Sequence, residues 1–203
     1  MDQPLPVPAA PGRRFDTAAR LTAATAAGTA GTVKVWDLFV RVFHWSLVGC
    51  MAGAYLGIEL GGPRWLHEWL GYAALALVAA RLVWGFVGQG HARFASFVPG
   101  PGRLWAYVRA LLRGREPRHL GHNPAAAVMI LFLLAMVAAI GTTGFLMSTD
   151  AFWGDEAMEE LHATLVDITL VAVGLHVAAA VYESRRHGEN LIKAMFTGRK
   201  RAP

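Results

Sequence analysis

Leu161–Tyr182, LHATLVDITLVAVGLHVAAAVY, sets two histidines fourteen residues apart within an otherwise apolar stretch of helix length. Fourteen steps are close to four helical turns, so His162 and His176 share a stripe and stand ~21 Å apart along the axis. That is about two thirds of a ~30 Å hydrocarbon core. The spacing suits one helix serving two sites, one near each membrane surface. Ionisable residues inside a span are functional suspects from the outset.

The rest of the chain agrees with a membrane setting. Of its 203 residues 55% are hydrophobic and 16% charged, with mean hydropathy +0.38. This is too apolar for an ordinary soluble domain. The net charge of +5 sits between the apolar runs instead of lining one soluble face, which argues against nucleic acid as a partner. Cys50 is the single cysteine. There is thus no disulfide framework, no cysteine-held metal cluster and no CxxCH signature for covalent haem.

Residues 1–32, rich in Pro, Ala, Thr and Gly, read as a disordered cytoplasmic tail. No continuous apolar segment marks a signal peptide there. Residues 33–203 form the membrane domain, with four apolar runs at about 38–60, 65–87, 125–147 and 161–182. Each is near the ~20 residues a span requires, so the expected fold is all-α, an integral membrane four-helix transmembrane bundle. The turn Gly61-Gly62-Pro63 and the loop Ser148–Glu160 make their flanking spans antiparallel neighbours. Within the longer connection Gly88–Pro124, the stretch RLWAYVRALLR at Arg103–Arg113 reads as a cytoplasmic amphipathic helix. It places Leu104, Tyr107, Val108, Leu111 and Leu112 on one face and arginines opposite. Asn123-Pro124 reads as an N-cap followed by proline at N1.

Lys and Arg counts set the orientation. The N-terminal segment, the long connection and the C-terminal tail are all basic. The opposite side has only Arg64, with Asp150, Asp155, Glu156, Glu159 and Glu160. Both termini are therefore expected in the cytoplasm, with the protein in the inner (plasma) membrane.

Depth then pairs the four intramembrane histidines. His44 and His176 each lie seven residues from the cytoplasmic end of their runs, and His67 and His162 both lie at the outer ends. An iron porphyrin between bundle helices needs one neutral imidazole from each side at equal height. Isolated histidine pairs do not make the four-ligand tetrahedron of structural zinc. The expected metal and cofactor ligands are thus His44, His67, His162 and His176. They would hold two non-covalent haem b groups, an inner one between His44 and His176 and an outer one between His67 and His162. The competing reading is four interfacial histidines bonded to nearby groups. His122, at the mouth of the third span, is the substitute for His44.

Arg81 lies inside the second span at the depth of the inner pair, where a charge costs roughly 2.5–3.5 kcal/mol at the midplane. A haem propionate would accept its bidentate bonds, and Arg41, one turn before His44, is the second candidate. Snorkelling to the interface is the alternative for both. Gly71, Gly141 and Gly144 allow either close macrocycle approach or helix packing. Asp167, rotated off the histidine stripe, is expected to bond a neighbouring helix.

The segments VWDLFVRVFHW (Val35–Trp45), LHEWLGY (Leu66–Tyr72), RLVWGFVG (Arg81–Gly88) and GHNPAAA (Gly121–Ala127), the paired histidines of the fourth run and the tail GENLIKAMFTGRK together resemble the prokaryotic cytochrome b561 family. That family also includes b-type cytochrome subunits of nickel-iron hydrogenases. The resemblance covers nearly all of Val33–Arg201. It implies a four-helix di-haem b membrane protein with axial ligands at His44, His67, His162 and His176, exchanging electrons with quinone. The expected function is electron transfer across the membrane between the quinone pool and an extracytoplasmic redox partner such as a c-type cytochrome, steered by the acidic segment Asp150–Glu160. The alternatives are a superoxide:quinone oxidoreductase at the outer haem, with Arg64 attracting the anion, and a cytochrome subunit of a hydrogenase-like complex. A non-redox transporter is a further class, which a reducible haem spectrum would remove.

Overall fold

The computed structural model describes residues 31–202. The expected disordered tail therefore lies almost wholly outside the described residues. Among the described residues there are seven α-helices: α1 (Leu38–Glu59), α2 (Arg64–Val87), α3 (Phe94–Phe97), α4 (Pro101–Leu112), α5 (Pro124–Met147), α6 (Glu156–Arg186) and α7 (Leu191–Thr197). Two three-residue strands, β1 (Thr32–Lys34) and β2 (Arg199–Arg201), do not alter the all-helical class. Residues 34–200 form one compact unit that carries these seven helices.

Four helices, α1, α2, α5 and α6, are long and apolar enough to cross a membrane. The first three begin and end within one residue of the apolar runs. Asp37 caps α1 by accepting from Val40 N at 2.7 Å, and its other oxygen accepts from Trp84 Nε1 at 3.0 Å, which ties the start of α1 to the end of α2. Asn123 caps α5 in the same way, accepting from Ala126 N at 2.7 Å, with Pro124 opening the helix.

The fourth span differs. α6 has 31 residues, ~46 Å at 1.5 Å per residue, and overshoots a ~30 Å core at both ends. Asp155, expected in a loop, is its N-cap, accepting from Met158 N at 2.9 Å. Glu156 and Glu159 then occupy the first turn. Carboxylates there complement the helix dipole by ~0.3–1 kcal/mol each, so part of the acidic segment is the head of a helix.

Packing follows chain order: α1 lies on α2, α2 on α5, and α5 on α6, while α6 has no comparable contact with α1 or α2. The core reflects this. Phe43, Ala74, Val78, Leu134 and Val137 cluster between α1, α2 and α5, and α6 contributes nothing to that cluster. Along α6, Val171 and Leu175 remain 65% and 58% exposed. Along its apolar stretch the helix with two histidines packs mainly on α5.

At the basic end the long connection is more ordered than a single amphipathic helix. A turn at Gly90–Ala92 and α3 precede α4, and Gly85 makes room for α3, since a Cβ there would collide with the Phe94 ring. α4 buries Tyr107, as its periodicity predicts, while Leu112, placed on the same face from sequence, is 82% exposed at the final residue of the helix. The Tyr107 hydroxyl donates to Glu183 Oε1 at 2.8 Å and Asn123 Nδ2 to the same oxygen at 3.0 Å, so one carboxylate on α6 fastens α4 and the start of α5. Burial and this bond raise the Tyr107 pKa well above that of a free phenol. Arg186 Nε donates to Glu116 at 3.0 Å, and Arg118 pairs with Glu189 at 2.7 Å. The Glu116 carboxyl is held below the usual range, first by its own backbone N–H and then by Arg186. Behind α6, Phe196 of α7 stacks on Trp45 of α1 at 4.1 Å. Gly198 accepts from Val35 N and Trp36 N and lies too close to the Trp36 carbonyl for a side chain.

Candidate haem-binding sites

His67 and His162 face each other at the acidic end, with ring centroids 6.2 Å apart. Two metal–nitrogen bonds of about 2 Å each, plus two ring half-widths, bring axial imidazole centroids to roughly the same separation. Their outer nitrogens are occupied. His67 Nδ1 lies 3.0 Å from the Ala54 carbonyl of α1, which can only accept, so Nδ1 carries the proton. His162 Nδ1 lies 2.9 Å from Thr143 Oγ1 of α5. That hydroxyl already has the Ala139 and Ile140 carbonyls as acceptors at 3.0 Å. It therefore receives the ring proton, and both imidazoles present a bare Nε2. Metal-bound histidines show this arrangement, the second nitrogen held by a carbonyl or other acceptor.

The fit extends to the surroundings. A Cβ on Gly71, one turn after His67, would meet nothing within 4 Å, so space is open there. Gly144 serves close approach, with its added Cβ 3.3 Å from His162 Cε1, whereas Gly141 is a packing glycine against Leu75 at 3.1 Å. Among the described residues no group of three or more His, Cys, Asp or Glu side chains could share a metal ion. Paired imidazoles are what the spans offer.

At the basic end, His44 and His176 are half-buried and within electrostatic range of each other. His44 Nδ1 is buried without a protein partner, as are Trp45 Nε1, Arg41 Nε and Arg81 Nη1. Three of these four groups can only donate, and buried donors left unpaired are costly. An excess of donors fits a guest rich in acceptors, such as the carboxylates of haem b. Arg81 is 3% exposed, donates from Nη2 to the Ala92 carbonyl at 3.0 Å and packs over the Phe94 ring at 4.9 Å. One arm of the guanidinium is thus used by the protein, reaching to the turn that follows α2. Arg41 Nη1 donates to the Phe196 carbonyl at 2.5 Å.

The remaining histidines have local roles. His122 stacks on Trp36 at 4.4 Å and meets Phe97 edge-on at 4.8 Å, an aromatic wedge that serves packing. Burial, with Lys200 and Arg81 nearby, lowers its pKa to about 3 and keeps it neutral. His91 packs edge-on to Trp36, His119 approaches the Pro117 carbonyl, and His187 pairs with Glu183. Asp167 is exposed on α6, so the expected bond to a neighbouring helix is not what positions it. Arg64 is ion-paired to Glu68 at 2.9 Å and lies over Trp153, which compensates the charge assigned to anion attraction.

Sequence reasoning missed Thr143, because a threonine in a span ordinarily back-bonds its own helix. It also missed Glu116, Glu183 and Glu189, whose partners are distant in the chain.

Four span-length apolar helices, with one facing histidine pair between two of them, fit a b-type cytochrome, and comparison with known proteins shows the family. The chain belongs to the prokaryotic cytochrome b561 family, whose description matches residues 35–198. It is 25% identical to a probable Ni/Fe-hydrogenase B-type cytochrome subunit of Bradyrhizobium diazoefficiens, over 83% of this chain and 86% of the relative. A protein of the same description from Rhizobium leguminosarum bv. viciae is 24% identical over 83% and 89%. The probable Ni/Fe-hydrogenase 1 B-type cytochrome subunit of Escherichia coli K12 is 26% identical over 57% and 60%. No solved structure gives a significant match. The chain is an integral membrane b-type cytochrome.

Proposed function

We propose that the chain is a di-haem b cytochrome that moves electrons across the membrane between the quinone pool and a redox protein at the acidic face. The observation that carries this reading is the His67–His162 pair, 6.2 Å between centroids with both Nδ1 atoms tied to acceptors. Bound between paired imidazoles, haem b supplies reversible one-electron storage. The protein's own part is positional. α6 carries one ligand of each pair, so a single rigid element fixes the separation of the two sites, while α2 supplies His67 and α1 supplies His44. Arg81, with its free arm, and Arg41 offer donors to carboxylates at the basic end. The Ala54 and Thr143 acceptors fix the tautomer and the orientation of the outer imidazoles.

Basic residues concentrated at the end where α1 begins and α6 ends support a cytoplasmic setting for that end by the positive-inside rule, with His67 and His162 then towards the outer face of the inner membrane. Exposed Trp65, Trp69 and Trp153 at the acidic end suit a membrane–water interface. The hydrogenase cytochrome relatives favour a hydrogenase-like partner at the outer face, with a c-type cytochrome as the alternative. Acidic residues at the head of α6 suit a lysine-rich surface in either case.

In vesicles carrying the haem-loaded protein, quinol is expected to reduce external ferricyanide well above the rate in protein-free vesicles. The His162→Ala variant should return the rate to that background. A wild-type rate equal to background would contradict the proposed electron path.

A further inference from the structure

Three threonine hydroxyls in the spans make the ordinary bond back to their own helix: Thr142 to Ala138, Thr143 to Ala139 and Thr169 to Leu165. Thr143 alone of the three also reaches a side chain on another helix, His162 Nδ1 at 2.9 Å. It is 7% exposed, and the adjoining Gly144 brings the α5 backbone against the same ring. The imidazole is thus seated on α5 by the Thr143 hydroxyl, with the Ile140 carbonyl beside it, and by the missing side chain of Gly144. Its partner His67 has a different anchor, a backbone carbonyl that no substitution at that position removes.

We infer that Thr143 is the positioning residue of the acidic-end site. Its hydroxyl receives the Nδ1 proton of His162, which fixes the tautomer, turns the ring and leaves Nε2 as the ligating nitrogen. The inference rests on the reading of His162 as an axial ligand. An acceptor on Nδ1–H makes the imidazole a stronger electron donor. The same bond therefore favours the ferric state of the metal it ligates, and one buried hydroxyl sets both the affinity and the potential of that site relative to the other.

The test uses the full-length haem-loaded protein and the variants Thr143→Val, Thr143→Ser and His162→Ala. Three quantities are measured: haem transfer to a soluble haem scavenger, the midpoint potential of each haem, and the low-spin ferric resonance. Valine keeps the shape but cannot accept a hydrogen bond. Thr143→Val is expected to weaken retention of one haem by about 10–100-fold, to raise the potential of that haem alone and to shift its resonance. Thr143→Ser, which keeps the hydroxyl, should match the wild type in all three. If His162→Ala loses a haem while Thr143→Val changes neither potential nor retention, the inference is overturned and the ligand reading survives. Serine behaving like valine would overturn it too, since packing would then be the cause. Should His162→Ala keep both haems, the ligand reading itself fails and the inference goes with it.

Discussion

Replacing His162 by alanine is expected to remove one haem from the purified protein and leave the other in place, and replacing His67 should do the same. The two imidazoles face each other at 6.2 Å, so either variant destroys the same site. The double variant His67→Ala/His162→Ala should therefore lose no more than each single one. Combining His162→Ala with His176→Ala should abolish both haems. Residues acting as a unit are non-additive and those at separate sites add, so the pattern of doubles reports the pairing directly. None of the four histidines belongs to the core cluster between α1, α2 and α5, so the variants are expected to remain folded and helical. Retention of both haems in His162→Ala, measured as haem per chain, would rule out the acidic-end site.

Arg81→Ala is expected to have the largest effect on stability. The side chain is buried, bonds the Ala92 carbonyl and packs over Phe94. Asp37, the cap of α1, lies within electrostatic range. Truncation leaves a buried carbonyl unpaired, at ~1–3 kcal/mol, and removes a cation–π contact of ~0.5–2 kcal/mol. The combined loss of roughly 2–4 kcal/mol should lower the unfolding midpoint in detergent by about 5–15 °C for a chain of this size. Arg81→Lys keeps the charge but loses the fork and should fall between the two. Under the proposed function, Arg81→Ala also weakens haem retention at the basic end, because the free Nη1 is lost. An unchanged midpoint would show that the connection to α3 is held by other contacts.

The first three spans were legible to within a residue because a bilayer imposes both length and apolarity on them. Capping residues Asp37 and Asn123 also announce themselves locally. α6 was misjudged at both ends for the opposite reason. Beyond the hydrocarbon a helix is free to be polar, so Glu156–Glu160 and Glu183–Arg186 look like loop until Asp155 is seen to cap the former. The approach of His67 and His162 was readable because depth along a span is a one-dimensional property that the sequence carries. The direction of Arg81 was not. A long side chain chooses among acceptors in three dimensions, and one arm turned to Ala92 in a connection that shows no periodicity. Glu183 binding Tyr107 and Asn123, and Thr143 binding His162, likewise join groups whose proximity exists only after the helices have packed. Depth along the chain could suggest that His67 and His162 meet, but only packing supplied the acceptors beside them.

The most direct test of the central claim is haem stoichiometry combined with ligation state in the purified wild-type protein. Two non-covalently bound haem b groups per chain, both low-spin and six-coordinate, are the expected result. A single haem per chain, or a high-spin five-coordinate centre, would contradict the assignment of His44, His67, His162 and His176 as two axial pairs.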